Sequence, residues 1–202
     1  MSGKLRVVLF CGEARSVPED FLSATLAAEG MKLRVVTLPG EFPVGTEAVN
    51  AARDAMLKSL SGPDRVVSAG IGPAALPALL MASECPVDGA MALNAPLRLR
   101  GLIPAITGTE AEGKHISAAD CRRLLFAGRR TERELERLRV PLLALADEND
   151  PLADPKSLEA IRRATAFCYD RDIGILPAKD PALVLRTCID FLKHVQTLDP
   201  ID

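Results

Sequence analysis

The sequence predicts a three-layer α/β domain, a mostly parallel six-stranded sheet with helices on both faces. Three observations carry that expectation. Short apolar or β-branched runs alternate with helical segments along nearly all 202 residues. The connections between them are short, as right-handed crossovers of a parallel sheet require. At Asp64 to Ala82 a strand run meets a Gly-rich turn and a helix begins at once.

Leu5 to Phe10 is a continuous apolar run, suited to a strand buried on both faces. Pro18, Glu19 and Asp20 open a helix that Gly30 ends. Leu33 to Leu38 is the second strand, closed by Pro39-Gly40, and a helix covers about Glu47 to Leu60. Arg65 to Ala69 is the third strand. Its helix runs from about Pro73 to Ser83, and Pro77 is expected to kink or shorten it. Val87 to Leu93 is the fourth strand.

Residues 97–139 break the rhythm. Ser117-Ala118-Ala119-Asp120 reads as a capping box with Asp in place of Glu, ahead of a helix. Thr131 to Arg139 reads as a second, charge-rich helix. The segment is expected to form a short helical lid over the strand ends. Then Val140 to Ala146 is a strand, Pro155 to Ala164 a helix, Ala166 to Tyr169 a strand, and Ala182 to about Val195 the closing helix. With no internal repeat and no linker, residues 1–202 read as one domain.

Composition excludes several classes. With 48% apolar residues the chain can build a substantial core. A net charge of −2 gives no pull toward nucleic acid or an anionic membrane surface. Aromatics make up 3%, without Trp, so stacking platforms for single strands are lacking. No apolar run reaches the ~20 residues of a membrane span, and no signal peptide is evident. The cysteines Cys11, Cys85, Cys121, Cys168 and Cys188 are scattered and odd in number. They read as buried thiols of a cytoplasmic protein rather than a disulfide or zinc framework.

Three stretches together resemble the α/β-hydrolase superfamily. Val7-Val8-Leu9-Phe10-Cys11-Gly12 is similar to its early strand and the loop that supplies an oxyanion donor. Asp64 to Ala82 is similar to the nucleophile elbow, a strand–turn–helix written G-x-S-x-G or G-x-S-x-A. Val140 to Leu152 is similar to the late strand and the turn carrying the triad acid. The resemblance implies a minimal version of the fold, beginning at the family's third strand.

Carried over position by position, the triad is incomplete. Gly72 falls on the nucleophile position of Gly70-Ile71-Gly72-Pro73-Ala74, and it has no side chain. Asp150 falls on the acid position. The His is expected around Leu176 to Asp180, a stretch that reads Leu-Pro-Ala-Lys-Asp. His115 lies in the lid segment and His194 late in the closing helix. A serine needs a base to take its proton, so acyl transfer loses its nucleophile and its imidazole together. Pro73 also lacks the N–H that normally helps bind the oxyanion. The residues expected to line a surviving crevice are Cys11, Gly12, Glu13, Ile71, Pro73 and Asn94.

Other readings of the same residues stay open. Gly70-x-Gly72-x-x-Ala75 also fits a dinucleotide fingerprint, though two strands precede it and no ribose-holding acid follows the next strand. Its glycines can equally serve a tight turn and close helix–strand packing. Cys11, a displaced nucleophile in one reading, is in the other a small buried apolar residue. Glu13 is a displaced acid or a solvated loop residue. Sliding the motif to Ser68 puts Val66 at the turn and spoils the helix match, so Ser68 reads as a strand residue. Asp150 in Asn149-Asp150-Pro151 can cap a turn. Lys179 and Asp180 can form a surface pair. Asp147, Glu148 and Asp150 read as solvated loop acids rather than a cation site. Arg122, Arg123, Arg129, Arg130 and Arg133, balanced by Glu132, Glu134 and Glu136, read as a solvated helical face.

Three classes of function follow. The first is a non-catalytic relative holding a small apolar or acyl ligand, or a protein partner, without a cofactor. The second is a triad-less enzyme (hydrolase, thioesterase, lyase or cyclase) using Asp150, Cys11 or Glu13. A nucleotide-binding protein is the third alternative.

Overall fold

The computed structural model describes residues 4–13, 17–99, 110–111, 114–147, 150, 152, 155–168, 170–176 and 180–198. The main sheet contains β1 (Leu5–Gly12), β2 (Lys32–Leu38), β3 (Arg65–Ile71), β4 (Gly89–Leu93), β7 (Leu142–Asp147) and β8 (Arg171–Leu176). Its order is β2-β1-β3-β4-β7-β8, with every neighbouring pair parallel. A separate two-stranded antiparallel ladder joins β5 (Glu110–Ala111) to β6 (Lys114–His115).

Two layers of helices cover the sheet. On one face lie α2 (Thr46–Leu60), α3 (Ala75–Glu84), α4 (Ala118–Leu135) and α5 (Pro155–Ala164). On the other lie α1 (Glu19–Ala28) and α6 (Pro181–Thr197). Alternation along β1 sorts the two cores. Val8 and Phe10 point to the four-helix face, while Leu5, Val7 and Leu9 point to the two-helix face. α3 is buried almost all round, as suits a helix running from a central strand under neighbouring helices.

Three expectations are corrected. First, residues 118–135 form one helix, with no break at Thr131. α4 packs against α3 and α5 and belongs to the four-helix core rather than sitting as a lid over the strand ends. Its capping box is present: the Asp120 amide donates to Ser117 Oγ, and the Ser117 amide to Asp120 Oδ2, each at 3.1 Å. Close seating explains the packing, because a Cβ on Gly128 would lie 2.4 Å from the Leu97 carbonyl oxygen. Residues 100–109, the rest of the expected lid, lie outside the described residues.

Second, the run from Ala166 is the turn that follows α5, not a strand. The Ala166 amide donates to Arg163 O and the Cys168 amide to Thr165 O, at 3.3 and 2.9 Å. Phe167 is exposed under the Arg139 guanidinium at 5.5 Å. The last strand is β8, at the sheet edge, where exposed Arg171 and Asp172 are tolerated. Third, Pro77 neither ends nor shortens α3. It stands in the first turn, where its missing N–H costs nothing.

Candidate functional site

The order β2-β1-β3 reverses direction between β1 and β3, so the topological switch point lies there. In open parallel sheets ligands bind outside the strand carboxyl ends at such a point. The ends of β1 and β3 carry Cys11-Gly12 and Ile71-Gly72-Pro73, which puts two of the quoted stretches at the carboxyl ends of neighbouring strands.

The turn after β3 has the geometry of an elbow. Gly72 takes φ +60°, in the left-handed region, and leads straight into a 3₁₀ turn, Gly72–Ala74, and then α3. A side chain there would stand on the crest of a strained strand-to-helix bend. Gly70 has a packing reason for its identity. A Cβ on it would lie 2.6 Å from both Ala74 O and Ala75 Cα. So both glycines of the Gly70-x-Gly72 pair are accounted for by the sharp turn and by the approach of α3 to β3.

The remaining site candidates fall into separate places. Cys11 is buried, its Sγ 3.9 Å from Val36 O and 3.8 Å from Thr37 Oγ1, turned toward β2. Glu13 is exposed. The Asp150 Oδ1 accepts the Leu152 amide at 2.8 Å, so the residue caps its own turn. Ser68 is buried in β3 and donates to Ala78 O at 2.8 Å. His194 Nε2 lies 2.8 Å from Asp170 Oδ2. That pair stands at the amino end of edge strand β8, whereas the elbow lies at the carboxyl end of the central strand β3. Leu176 ends β8 and Asp180 caps α6 through the Leu183 amide at 2.9 Å, and residues 177–179 lie outside the described residues. Among the described residues no group of three or more His, Cys, Asp or Glu could hold a metal ion.

Sequence reasoning missed a cavity elsewhere. A groove of about 400 Å³ lies on the two-helix face, with the sheet as floor and α1 and α6 as walls. Ile71 and Asn94 line it, whereas Cys11, Gly12, Glu13 and Pro73 do not. The six residues grouped as one crevice from sequence thus divide between two places. Small residues facing α6 were the available signal. Gly89 lets α6 sit close, with a Cβ there 3.2 Å from Val195 Cγ2. The groove opens from that seat toward the strand carboxyl ends.

Fold and turn together define a protein of α/β-hydrolase fold. No known family profile matches the sequence, and no curated protein is similar to it in sequence. Solved structures are similar to nearly all of it. One is the monoacylglycerol lipase of Paleococcus ferrophilus, with TM-score 0.73 at 15% identity, covering 96% of each chain. Another belongs to the metagenome-derived lipolytic enzymes LipS and LipT, with TM-score 0.69 at 18% identity over 96% of this chain and 95% of the other. A third is Est1E from Butyrivibrio proteoclasticus, with TM-score 0.70 at 12% identity over 98% and 90%. At these identities the likeness establishes the fold.

Proposed function

We propose that this protein keeps the α/β-hydrolase scaffold without its acyl-transfer chemistry and holds a small apolar or acyl ligand near the strand carboxyl ends. The observation that carries this is Gly72 at φ +60°. The position on the crest of the bend is occupied by glycine, which has no side-chain atom to attack a carbonyl. Pro73 beside it has no N–H to steady an oxyanion. His194 adds no base there, since it is paired with Asp170 at the amino end of β8.

All five cysteines are free, which fits a reducing, cytoplasmic setting. No helix among the described residues is long and apolar enough to cross a membrane. The neighbouring lipases and esterases give the test its substrates. Short acyl esters and acyl thioesters, offered to the purified protein, are expected to hydrolyse at the buffer rate. Saturable turnover abolished by Asp150→Asn would overturn this reading and support a triad-less enzyme.

A further inference from the structure

α4 carries a dense basic cluster, and its packing decides which way that charge faces. Cys121, Leu124, Gly128, Thr131 and Leu135 turn inward and are buried. Arg122, Arg123, Phe126, Arg129, Arg130 and Arg133 are exposed. At ~3.6 residues per turn these six fall within about one third of the helix circumference, with Phe126 in the middle of the arc. From Arg122 to Arg133 the stripe runs ~16 Å along the axis. The Phe126 ring at its centre is 67% exposed.

On sequence alone Glu132, Glu134 and Glu136 balance this face, but the fold engages two of those acids with other arginines. Glu132 pairs with Arg98, and Glu134 with Arg137 at 2.7 Å. Glu136 stands past the last residue of the helix. Arg123 reaches Asp120 only at 3.6 Å. Arg130 reaches Glu84 at 3.9 Å, a carboxylate that Arg53 already holds at 2.5 Å. The Arg122, Arg129 and Arg133 side chains make no ion pair among the described residues. Unneutralised positive charge therefore surrounds one exposed aromatic ring.

Two features select among anionic partners. Every cation of the face is an arginine, whose planar fork matches a carboxylate through two parallel hydrogen bonds. Arginine and aromatic residues are enriched at protein interfaces, where lysine is depleted. The whole chain carries −2, so outside this face it is net negative. A long polyanion or an extended anionic surface meets that repulsion, whereas a short acidic segment confined to the stripe does not. We propose that the outer face of α4 docks an acidic segment of a partner protein, its carboxylates on Arg122, Arg129 and Arg133 and an apolar side chain on Phe126. This surface stands apart from the ligand reading, whose observations lie on β1 and at the β3–α3 bend.

Fluorescence anisotropy of the full chain with labelled peptides tests this. The probe is a short synthetic peptide with Glu at every third or fourth position and one central Leu; its control carries Gln in place of each Glu. The acidic peptide is expected to bind about 10-fold more tightly than the Gln peptide at low salt. Arg122→Gln, Arg129→Gln and Arg133→Gln together are expected to weaken it about 10-fold, through the loss of three exposed pairs. Lys4→Gln, Lys58→Gln and Arg186→Gln together remove the same charge from other elements and are expected to change it less than about 2-fold. Phe126→Ala is expected to weaken it about 3-fold. Arg129→Glu alone replaces the triple variant if that fails to fold, with a loss of about 3-fold expected. No binding of the acidic peptide, equal affinity for both peptides, or equal losses in the two triple variants overturns the proposal. Tighter binding of phosphatidylserine vesicles or of a DNA duplex also overturns it, and unchanged affinity in Phe126→Ala overturns the apolar anchor.

Discussion

Asn94 fastens the carboxyl end of β4 to that of β7. Its Oδ1 accepts the Asp147 amide at 2.8 Å, and its own amide donates to Leu145 O at 2.8 Å. The residue takes φ +56°, in the left-handed region that Asn enters more easily than other side-chain-bearing residues. Two polar positions at the groove mouth are thereby set by backbone geometry. Replacing Asn94 by Ala removes the acceptor and retains the unfavourable φ, for an expected loss of about 1–3 kcal/mol. Asn94→Asp keeps the acceptor and is expected to lose less. Urea unfolding of the two variants checks the order.

Gly70 and Gly128 are places where backbone meets backbone. A Cβ would lie 2.6 Å from Ala74 O at Gly70 and 2.4 Å from Leu97 O at Gly128. Neither oxygen can swing away as a side-chain tip would. Each Gly→Ala change is expected to destabilise by about 3 kcal/mol, at the high end of overpacking. Gly174→Ala, with nothing within 4 Å of its Cβ, is the control. It is expected to stay within about 0.5 kcal/mol of the parent.

Asp64 ties the amino ends of β1 and β2 together. Its carboxylate accepts from Arg6 at 2.6 Å and Lys32 at 2.7 Å, and its side chain is 5% exposed. The hydrogen bond from Lys32 leads, and with the Lys32 and Arg6 charges it outweighs burial and holds the carboxyl below its ordinary range. A depressed folded pKa contributes stability above the unfolded value, about 3.9 for Asp. That contribution disappears as pH falls through the lower folded value. The stability gap between parent and Asp64→Asn should therefore be full at pH 7 and close on acidification below about pH 4. Urea midpoints measured from pH 7 to pH 2 read it directly.

Cys188 shows the opposite sign. Burial in the two-helix core pushes its thiol up to about 12. The folded state holds the proton where the unfolded chain releases it, near pH 8.5. Stability from this thiol is complete below about pH 8.5 and is lost as pH rises toward the folded value. Cys188→Ala is expected to start less stable, through the cavity left behind, and to show a shallower alkaline decline. Chemical denaturation between pH 7 and pH 10.5 distinguishes the two slopes.

The sheet was legible because buried parallel strands read as continuous apolar runs, as in β1 and β7, and because proline and glycine mark the turns between elements. β8 was not legible for the converse reason. An edge strand beginning Arg171-Asp172 shows its apolar Ile173, Ile175 and Leu176 only after two charges, while Ala166-Phe167-Cys168 is an apolar run in what is the turn after a helix. The elbow was legible down to Gly72, since a left-handed turn after a central strand leaves few alternatives. α4 was misplaced because its exposed Arg face reads as solvated on either side of the molecule. The packing of Cys121, Leu124 and Leu135 into the four-helix core, with Gly128 seated on Leu97, shows which layer it joins. The groove was invisible because it is made by residues from both helices and five strands, none of them unusual in its own segment.

The proposal that the crest of the β3–α3 bend carries no nucleophile is tested most directly by covalent capture. The purified protein is incubated with a fluorophosphonate and, separately, with 4-nitrophenyl butyrate, and its intact mass is recorded. The expected result is an unchanged mass in both cases. A stoichiometric phosphonyl or butyryl adduct on a single residue at the carboxyl ends of β1 and β3 would contradict it.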